Sequence, residues 1–270
     1  MIPKIIHYSW FSNDPIPGHI QGLMKTWKKY LPDYEFRLWD GEALAGINCT
    51  YANEAVSVRK WAFAADFLRN YVVYKYGGIW LDTDIEVYKS FDPYLNNKMF
   101  IGAEANFHGI PKKRCVTSHC FGAEPGHPFL KLCVDYYKDR HFIHSYNDDL
   151  PFNLRYDMQL ILPEIHEKIL VEKYNYNADG YQDKEQFLDN GIHIYPSDFF
   201  DCPRYHSMEN VVCIHRAQGG WRLDSNSNKP DYSTTDSRKK NLKYFLFKLY
   251  DLFNQFSYRH LGFGITKGSR

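Results

Sequence analysis

The chain has 270 residues, of which 44% are apolar, and a formal net charge of +1 at pH 7. A chain of this length can bury one large hydrophobic core, and its near-neutral charge offers no electrostatic argument for a nucleic-acid partner. The sequence contains no apolar run near the ~18 residues that a membrane-spanning helix needs.

The first 81 residues predict alternating strands and helices. Apolar and polar residues alternate over residues 4–10 and 34–39, which indicates two strands, and turn signals after the first strand lead into a helix at about residues 19–30. A helical pattern over about residues 53–76 precedes a short apolar strand at residues 79–81. Strands that alternate with helices pair in parallel through right-handed crossovers. We therefore expect an α/β fold with a mostly parallel central sheet flanked by helices.

The pattern after residue 84 is less regular. It predicts strands at residues 99–103, 120–123, 192–195 and 211–214, and helices at residues 128–138 and 157–169, the last as one or two short helices broken at Pro163. Residues 224–238 are polar and lack apolar residues that would anchor them, which indicates a linker. We therefore divide the chain into a domain of residues 1–223, this linker, and a C-terminal segment of residues 239–270.

The C-terminal segment predicts an amphipathic helix followed by a tail. Apolar residues recur at helical spacing, namely Leu242, Phe245, Leu246, Leu249, Leu252, Phe253 and Phe256, with four lysines near the start. A basic helix of this kind can lie on an anionic membrane surface through residues 239–260. It can equally pack on the sheet or on a partner chain, and both interpretations stay open.

The N-terminus and the cysteines indicate the compartment. Residues 1–4 lack the basic and apolar regions of a signal peptide, and the six scattered cysteines form no C-x-x-C pair. We expect a cytoplasmic protein with reduced thiols, peripheral on the inner face of the cytoplasmic membrane if its C-terminal helix binds there.

The acidic pair in Asp82-Thr83-Asp84 follows the strand predicted at residues 79–81. Residues two apart in an extended segment point to the same side, so the two carboxylates can converge on one point. Their repulsion would raise one pKa unless a cation lies between them. Carboxylate oxygens without a nearby thiolate favour Mg²⁺ or Mn²⁺. The alternative is a strand that simply ends in a polar turn.

Asp66 and Arg69 lie three residues apart on the helix that leads into the acidic pair. A helix-surface ion pair would explain them and would contribute only a few tenths of a kcal/mol. Because the helix delivers the chain directly to Asp82, both side chains can instead face a metal pocket. There Arg69 would offer phosphate or sugar hydroxyls its planar set of donors.

Two further segments place histidine and tryptophan at strand ends. His215 follows an apolar strand and enters a glycine-rich stretch that ends at Trp221, and His7 and Trp10 lie at the end of the first strand. The C-terminal stretch can bring an imidazole to a bound ion and close an aromatic ring over a substrate. The alternatives are a histidine that caps a strand edge and a Trp10 that fills the core.

These motifs together resemble a known family. The segments Ile2-Pro3-Lys4-Ile5-Ile6-His7-x-x-Trp10, Ala65-Asp66-x-x-Arg69, residues 76–84, Phe121-x-Ala123-x-Pro125-Gly126-His127-Pro128 and residues 215–221 resemble glycosyltransferases with a D-x-D sugar-binding region. That family includes the yeast initiating mannosyltransferase of the Golgi and bacterial capsule and lipopolysaccharide enzymes, and it is similar at greater distance to the clostridial glucosylating toxins. The resemblance implies a GT-A type nucleotide-sugar-binding fold, a need for Mn²⁺ or Mg²⁺, and transfer with retention of anomeric configuration.

The resemblance also implies roles at the metal and the donor sugar. Asp84 would coordinate the ion directly, and Asp82 would contact the ion or its water and the ribose. His215 would complete the metal shell. Asp66 and Arg69 would hold the donor sugar's hydroxyls and the pyrophosphate side.

At the nucleotide, the resemblance implies that Trp10 and the backbone near His7 border the base, with Trp221 over the diphosphate. One departure concerns the last motif, where family members often have Ser-Trp and this chain has Gly220-Trp221. A hydroxyl contact from that serine is therefore missing, which bears on how the loop closes on the phosphates.

The predicted function is metal-dependent, retaining transfer of a hexose from a nucleotide sugar, UDP-linked by resemblance, to a surface glycan or lipid-linked glycan. The leaving diphosphate gains negative charge, which a divalent ion neutralises as a Lewis acid. The candidate catalytic residues are Asp82, Asp84 and, on the acceptor side, Asp157. Two alternatives stay open, namely a metal-dependent nucleotide-sugar hydrolase and a non-catalytic sugar-binding protein.

Overall fold

Strands and helices alternate through the part of the chain that a computed structural model describes, which comprises residues 1–105, 114–157, 160–179, 183–202 and 208–217. The strands are β1 Ile5–Ser9, β2 Glu35–Trp39, β3 Gly78–Leu81, β4 Ile85–Val87, β5 Met99–Ala103, β6 Val116–Ala123, β7 Gln186–Leu188, β8 Ile192–Tyr195 and β9 Cys213–His215. The helices are α1 Gly18–Tyr30, α2 Gly41–Ala45, α3 Thr50–Ser57, α4 Trp61–Tyr76, α5 Pro128–Tyr136, α6 Phe152–Arg155, α7 Leu162–Tyr174 and α8 Ser197–Phe200. Single 3₁₀ turns lie at Asp92–Tyr94 and Asp189–Gly191.

A central sheet organises the fold in the order β2-β1-β3-β6-β5-β8-β7. The pairs β1–β2, β1–β3 and β5–β8 are parallel, whereas β6 is antiparallel to both of its neighbours and β7 is antiparallel to β8. Strands β1, β2, β3, β5 and β8 therefore run in one direction, with β6 and β7 opposed. The predicted α/β class with a mostly parallel central sheet is confirmed.

Helices cover both faces of this sheet. One buried cluster joins α3, α4, α5 and α7 to the sheet, and a second joins α1 and α8 to the other face. The second cluster also contains the small antiparallel sheet of β4 and β9. Trp27 of α1 fixes that sheet, because its Nε1 donates to the Ile85 carbonyl at 2.8 Å.

The helix predicted over residues 53–76 is wrong in its extent, because the chain forms two helices there. Helix α3 ends at Ser57 and α4 begins at Trp61. Between them Arg59 has φ +59°, a left-handed conformation that interrupts helical hydrogen bonding. Asp66 and Arg69 both remain on α4, as expected.

The helix predicted over residues 157–169 is also placed too early. It begins at Leu162, with Pro163 in its first turn, and continues to Tyr174. A proline in the first turn starts a helix and does not break it, since its missing N–H group would have no partner there. Asp157 consequently lies outside the helix.

The C-terminal predictions lie beyond the described residues. Trp221, the linker of residues 224–238 and the helix and tail of residues 239–270 all fall there. Within the described ranges, no helix combines the length and the apolar character required to cross a membrane.

Candidate functional site

Two glycines turn the chain from α4 into β3 and set the position of the acidic pair. Gly77 has φ +66° and Gly78 has φ +100°. A Cβ atom on Gly78 would lie 2.7 Å from the Ile5 carbonyl oxygen, so the close approach of β3 to β1 requires glycine there. At the other end of β3 the Asp82 N–H donates to the His119 carbonyl at 2.9 Å, which extends the pairing with β6 to the acidic residues.

Asp82, Asp84 and His215 converge at the carboxyl end of β3. One ligand atom from each side chain lies within 4.8 Å of the other two, and His215 Nε2 is 3.4 Å from Asp84 Oδ1. The pairing of β4 with β9 brings the histidine there, because Ile85 lies opposite His215 in the register. The structure thus brings together the three residues that were predicted to hold a metal.

The donor set and its spacing fit a hard divalent cation. Mg²⁺ binds oxygen ligands at about 2.1 Å with octahedral geometry, so neighbouring ligand atoms lie about 3.0 Å apart and opposite ones about 4.2 Å apart. The 3.4 Å between His215 Nε2 and Asp84 Oδ1 falls in this range. Asp82, Asp84 and His215 are 26%, 16% and 25% exposed, which leaves room for water or substrate oxygen as further ligands.

Electrostatics at the cluster also favours a cation. Burial raises the pKa of Asp82, and the charge of Asp84 adds to the rise, while Arg69 opposes it. Burial works against a charged His215, but its hydrogen bond to Asp84 and the charges of Asp84, Asp82 and Asp201 outweigh burial and raise its pKa. The raised pKa of His215 shows that the surrounding carboxylates favour positive charge at this position.

Arg69 is a buried cation that joins α4 to the acidic pair. Its side chain is 5% exposed and lies 3.3 Å from carboxylate oxygens of both Asp66 and Asp82. Its Nη1 also donates to the Ser118 carbonyl at 2.7 Å, and the guanidinium carbon lies 5.4 Å from the centre of the Trp80 ring. The pair of Asp66 and Arg69 is thus not a helix-surface ion pair, and it adjoins the predicted metal site.

Asp66 occupies an unusual environment for a carboxyl group. Its side chain is 14% exposed. Burial raises its pKa to about 7, with a further rise from the charge of Asp82 and a partial offset by Arg69. Near neutral pH this group can either donate or accept a hydrogen bond.

The two residues predicted to border the nucleotide, His7 in β1 and Trp10 just after it, differ in how far their side chains are buried. The His7 side chain is fully buried, with Nε2 donating to the Gly77 carbonyl at 2.9 Å and Nδ1 accepting from Trp39 Nε1 at 3.1 Å. The His7 side chain is occupied by its contact with the glycine turn. Only the backbone of His7 can therefore border a base. Trp10 is partly buried and donates through Nε1 to the Asp14 carbonyl at 2.8 Å.

Asp157 lies in a different set of contacts. Its carboxylate pairs with Arg140 at 3.4 Å, and its N–H donates to the Phe142 carbonyl at 2.8 Å. Its predicted catalytic role stays a prediction.

Sequence reasoning missed the polar residues beneath the site. Ser118 and His119 of β6 and Asp201 after α8 are all buried. A signal for the first two exists only once the extent of β6 is known, since a polar run inside a buried strand needs partners. Asp201 carried no such signal, because nothing in the chain around it predicts that it lies against His215.

The central part of the chain matches a known protein family. Residues 17–101, which contain Asp66, Arg69, Asp82 and Asp84, match the family described as glycosyltransferase sugar-binding region containing DXD motif. Inositol phosphoceramide mannosyltransferase 3 of Schizosaccharomyces pombe is 31% identical over 141 residues, covering 49% of this chain and 36% of that protein. Mannosyl phosphorylinositol ceramide synthase CSH1 of Saccharomyces cerevisiae is 29% identical over 150 residues, covering 53% and 38%. The chain thus spans less than half the length of these curated relatives.

Two solved structures that are similar to this chain are described as glycosyltransferases. The PaToxG glycosyltransferase aligns at 19% identity with a TM-score of 0.41, covering 64% of this chain and 70% of that one. A glycosyltransferase involved in the glycosylation of the major capsid of PBCV-1 aligns at 12% identity with a TM-score of 0.39, covering 78% and 92%.

Proposed function

We propose that this chain, whose residues 17–101 match a glycosyltransferase sugar-binding region, is a divalent-metal-dependent, retaining glycosyltransferase of GT-A type. It transfers a hexose from a nucleoside diphosphate sugar to a glycan or to a lipid-linked acceptor. The observation that carries the proposal is the convergence of Asp82, Asp84 and His215 to within 4.8 Å at the carboxyl end of β3. Ligands of open α/β sheets bind at such strand ends.

The metal-binding residues act on the leaving group. Asp82, Asp84 and His215 would hold Mn²⁺ or Mg²⁺, which when bound neutralises the charge that develops on the departing diphosphate. The two carboxylates hold the ion and need not move protons. Arg69, which is fixed against Asp82, adds positive charge on the α4 side of the site.

Other predicted residues would hold the donor. Asp66 would accept or donate a hydrogen bond to a sugar hydroxyl, and its 14% exposure supports access. Trp10 and the backbone near His7 would border the base, and Trp221 would close over the diphosphate. Asp157 remains the candidate on the acceptor side.

Candidate donors and acceptors come from the sequence and from the fungal relatives. The sequence suggested a UDP-sugar and a bacterial capsule or lipopolysaccharide acceptor, whereas the fungal relatives are named as mannosyltransferases that act on inositol phosphoceramide. A lipid-linked acceptor is compatible with both. The position that we propose, peripheral on the cytoplasmic side of a membrane through residues 239–260, rests on the basic, amphipathic pattern of that segment alone. A mannosyl donor therefore belongs beside UDP-hexoses in any assay.

The test is a donor panel with UDP-glucose, UDP-galactose and GDP-mannose, each with Mn²⁺, Mg²⁺ or EDTA. A transferase gives slow hydrolysis that needs metal and that is replaced by transfer when an acceptor, such as inositol phosphoceramide or a lipid-linked sugar, is added. Fast hydrolysis without dependence on acceptor indicates a hydrolase, and binding without turnover indicates a sugar-binding protein. The anomeric configuration of the product, read by NMR, tests retention.

A matched pair of variants separates the metal site from general charge effects. Asp84→Asn should abolish turnover, because it removes the negative charge of a metal ligand at constant size. Asp149→Asn alters an exposed aspartate in the loop before α6 and should leave turnover unchanged. Equal turnover in the two variants would contradict the proposal.

A further inference from the structure

His215 reaches the site on a short strand. Strand β9 has three residues and pairs only with β4 within the described part of the chain. A histidine ligand must keep its ring in one orientation to hold a metal, and that orientation normally depends on groups behind the ligand. The contacts that His215 makes besides the one to Asp84 therefore matter.

His119 supports the face of the His215 ring. The two ring centres are 4.0 Å apart and the planes differ by 24°, so the rings are stacked. His119 is 4% exposed and is itself fixed, because its Nε2 donates to the Phe200 carbonyl at 3.1 Å. It belongs to β6, which is paired on both sides in the central sheet. His119, on a strand of the central sheet, thus supports the ring of His215, which lies on the short strand β9.

Asp201 holds His215 through backbone and charge. Its carbonyl accepts the His215 N–H at 3.0 Å. Its carboxylate is 4% exposed, lies within 4.8 Å of ring nitrogens of His119 and His215, and accepts the Ala105 N–H at 2.7 Å. The carboxylate therefore has a fixed position near the His215 ring, where its negative charge acts on the imidazole.

His119, Asp201 and His215 also lie close enough together to suggest a metal site, since one possible ligand atom from each lies within 4.8 Å of the other two. The stacking argues against that use. Rings that lie nearly face to face direct their nitrogen lone pairs along nearly parallel planes, whereas the ligands of one ion must converge on it.

We infer that His119 and Asp201 are positioning residues, which hold His215 in the orientation that lets it bind the metal beside Asp82 and Asp84. The inference rests on the proposed function, since it assigns a role toward the proposed metal. Neither residue is a ligand or touches the substrate.

The experiment measures Mn²⁺ binding to the full chain by electron paramagnetic resonance, which reports free and bound ion and, through the pulsed signal, coupling to a histidine nitrogen. His119→Leu removes the ring and Asp201→Asn removes the charge while keeping an oxygen for the Ala105 N–H. Each should raise the Mn²⁺ dissociation constant by about tenfold or more, as loss of such outer groups does elsewhere, and should weaken the nitrogen coupling. His119→Phe keeps the stacked ring and should retain most of the affinity.

The matched control is His127→Leu. His127 is also 4% exposed, but it caps α5 and bonds to the Asn190 carbonyl. It should lower stability without changing Mn²⁺ affinity or nitrogen coupling. If His119→Leu does not fold, Asp201→Asn alone decides.

The possible failures are distinguishable. Wild-type affinity and coupling in both His119→Leu and Asp201→Asn would overturn the inference while leaving the proposed function in place. Two Mn²⁺ ions in the wild type and one in His119→Leu would overturn it as well, because the residues would then be ligands. Absence of any Mn²⁺ binding that depends on Asp84 would refute the proposed function itself.

Discussion

Arg69 and Asp82 lie thirteen residues apart in the chain, on different elements, and their charged groups meet at 3.3 Å. This contact ties α4 to the end of β3 and makes one structural unit of the helix and the acidic pair. Because the Arg69 side chain is 5% exposed, the charge network is held largely away from water.

Replacement of Arg69 should therefore be costly. Arg69→Met removes the cation and leaves Asp66 and Asp82 as buried, uncompensated acids, so we expect a loss of about 3–5 kcal/mol in the free energy of unfolding. Urea denaturation of the metal-free protein measures it. Arg37→Met breaks an exposed pair with Glu35 and should cost less than about 1 kcal/mol. Similar losses in the two variants would show that the Arg69 network is not a buried one.

The glycine turn offers a second test. Gly78→Ala would place a Cβ atom 2.7 Å from the Ile5 carbonyl oxygen at φ +100°, so it should destabilise the protein by about 2 kcal/mol or more. Thermal and urea unfolding report the change. Gly22→Ala lies within α1, where a Cβ atom meets nothing within 4 Å, and should stabilise by roughly 0.5–1 kcal/mol. A Gly78→Ala protein as stable as the wild type would contradict the described close approach.

His7 should make stability depend on pH. Burial lowers the pKa of His7 from 6.5 to about 4. Between these two pH values the unfolded chain binds a proton at His7 and the folded chain does not. The corresponding stability is fully present above pH 6.5 and is lost as pH falls toward 4, by about 3 kcal/mol in total. Urea unfolding between pH 7 and pH 4 measures this slope. His7→Gln, which does not titrate, should reduce the slope and leave the similar contribution of buried His166; an unchanged slope would refute the assignment.

Asp66 should lower the stability of the fold near neutral pH while it contributes to donor binding. Its pKa is raised from 3.8 to about 7, so the folded state holds a proton that the unfolded state releases, and stability falls as pH rises through this range. In EDTA at pH 8, Asp66→Asn should therefore be more stable than the wild type, by up to about 4 kcal/mol. The same variant should bind the donor sugar more weakly, which isothermal titration with Mn²⁺ would detect. Lower stability of the variant at pH 8 would contradict the described burial.

Much of this site could be predicted from local pattern. Period-two spacing at the end of an apolar strand predicted that Asp82 and Asp84 converge, and helical spacing together with the following glycine turn placed Arg69 near them. These inferences hold because the residues are close in sequence and their geometry follows from one or two elements.

Other features depend on contacts between distant segments. Strand β6 begins at Val116 and not at residue 120, because the polar residues Thr117, Ser118 and His119 conceal a buried strand in the sequence. The partners of Ser118 and His119 come from α4, α8 and Asp201, which no local pattern specifies. The position of Asp201 behind His215 is of this kind.

Asp157 is a residue whose predicted role does not follow from its local sequence. It was chosen from its neighbours in sequence, but the structure pairs it with Arg140 and places it before α7. Whether the acceptor reaches it depends on how that segment faces the site, which residue type alone does not determine.

The central claim is that Asp82, Asp84 and His215 hold one divalent ion. Anomalous diffraction at the manganese edge, from crystals grown with Mn²⁺ and a nucleoside diphosphate, tests it most directly. We expect a single strong peak about 2.0–2.3 Å from an oxygen of each aspartate and from His215 Nε2. The same peak should be absent from crystals of Asp84→Asn. A wild-type map with no peak among these three side chains, or with manganese bound only elsewhere, would contradict it.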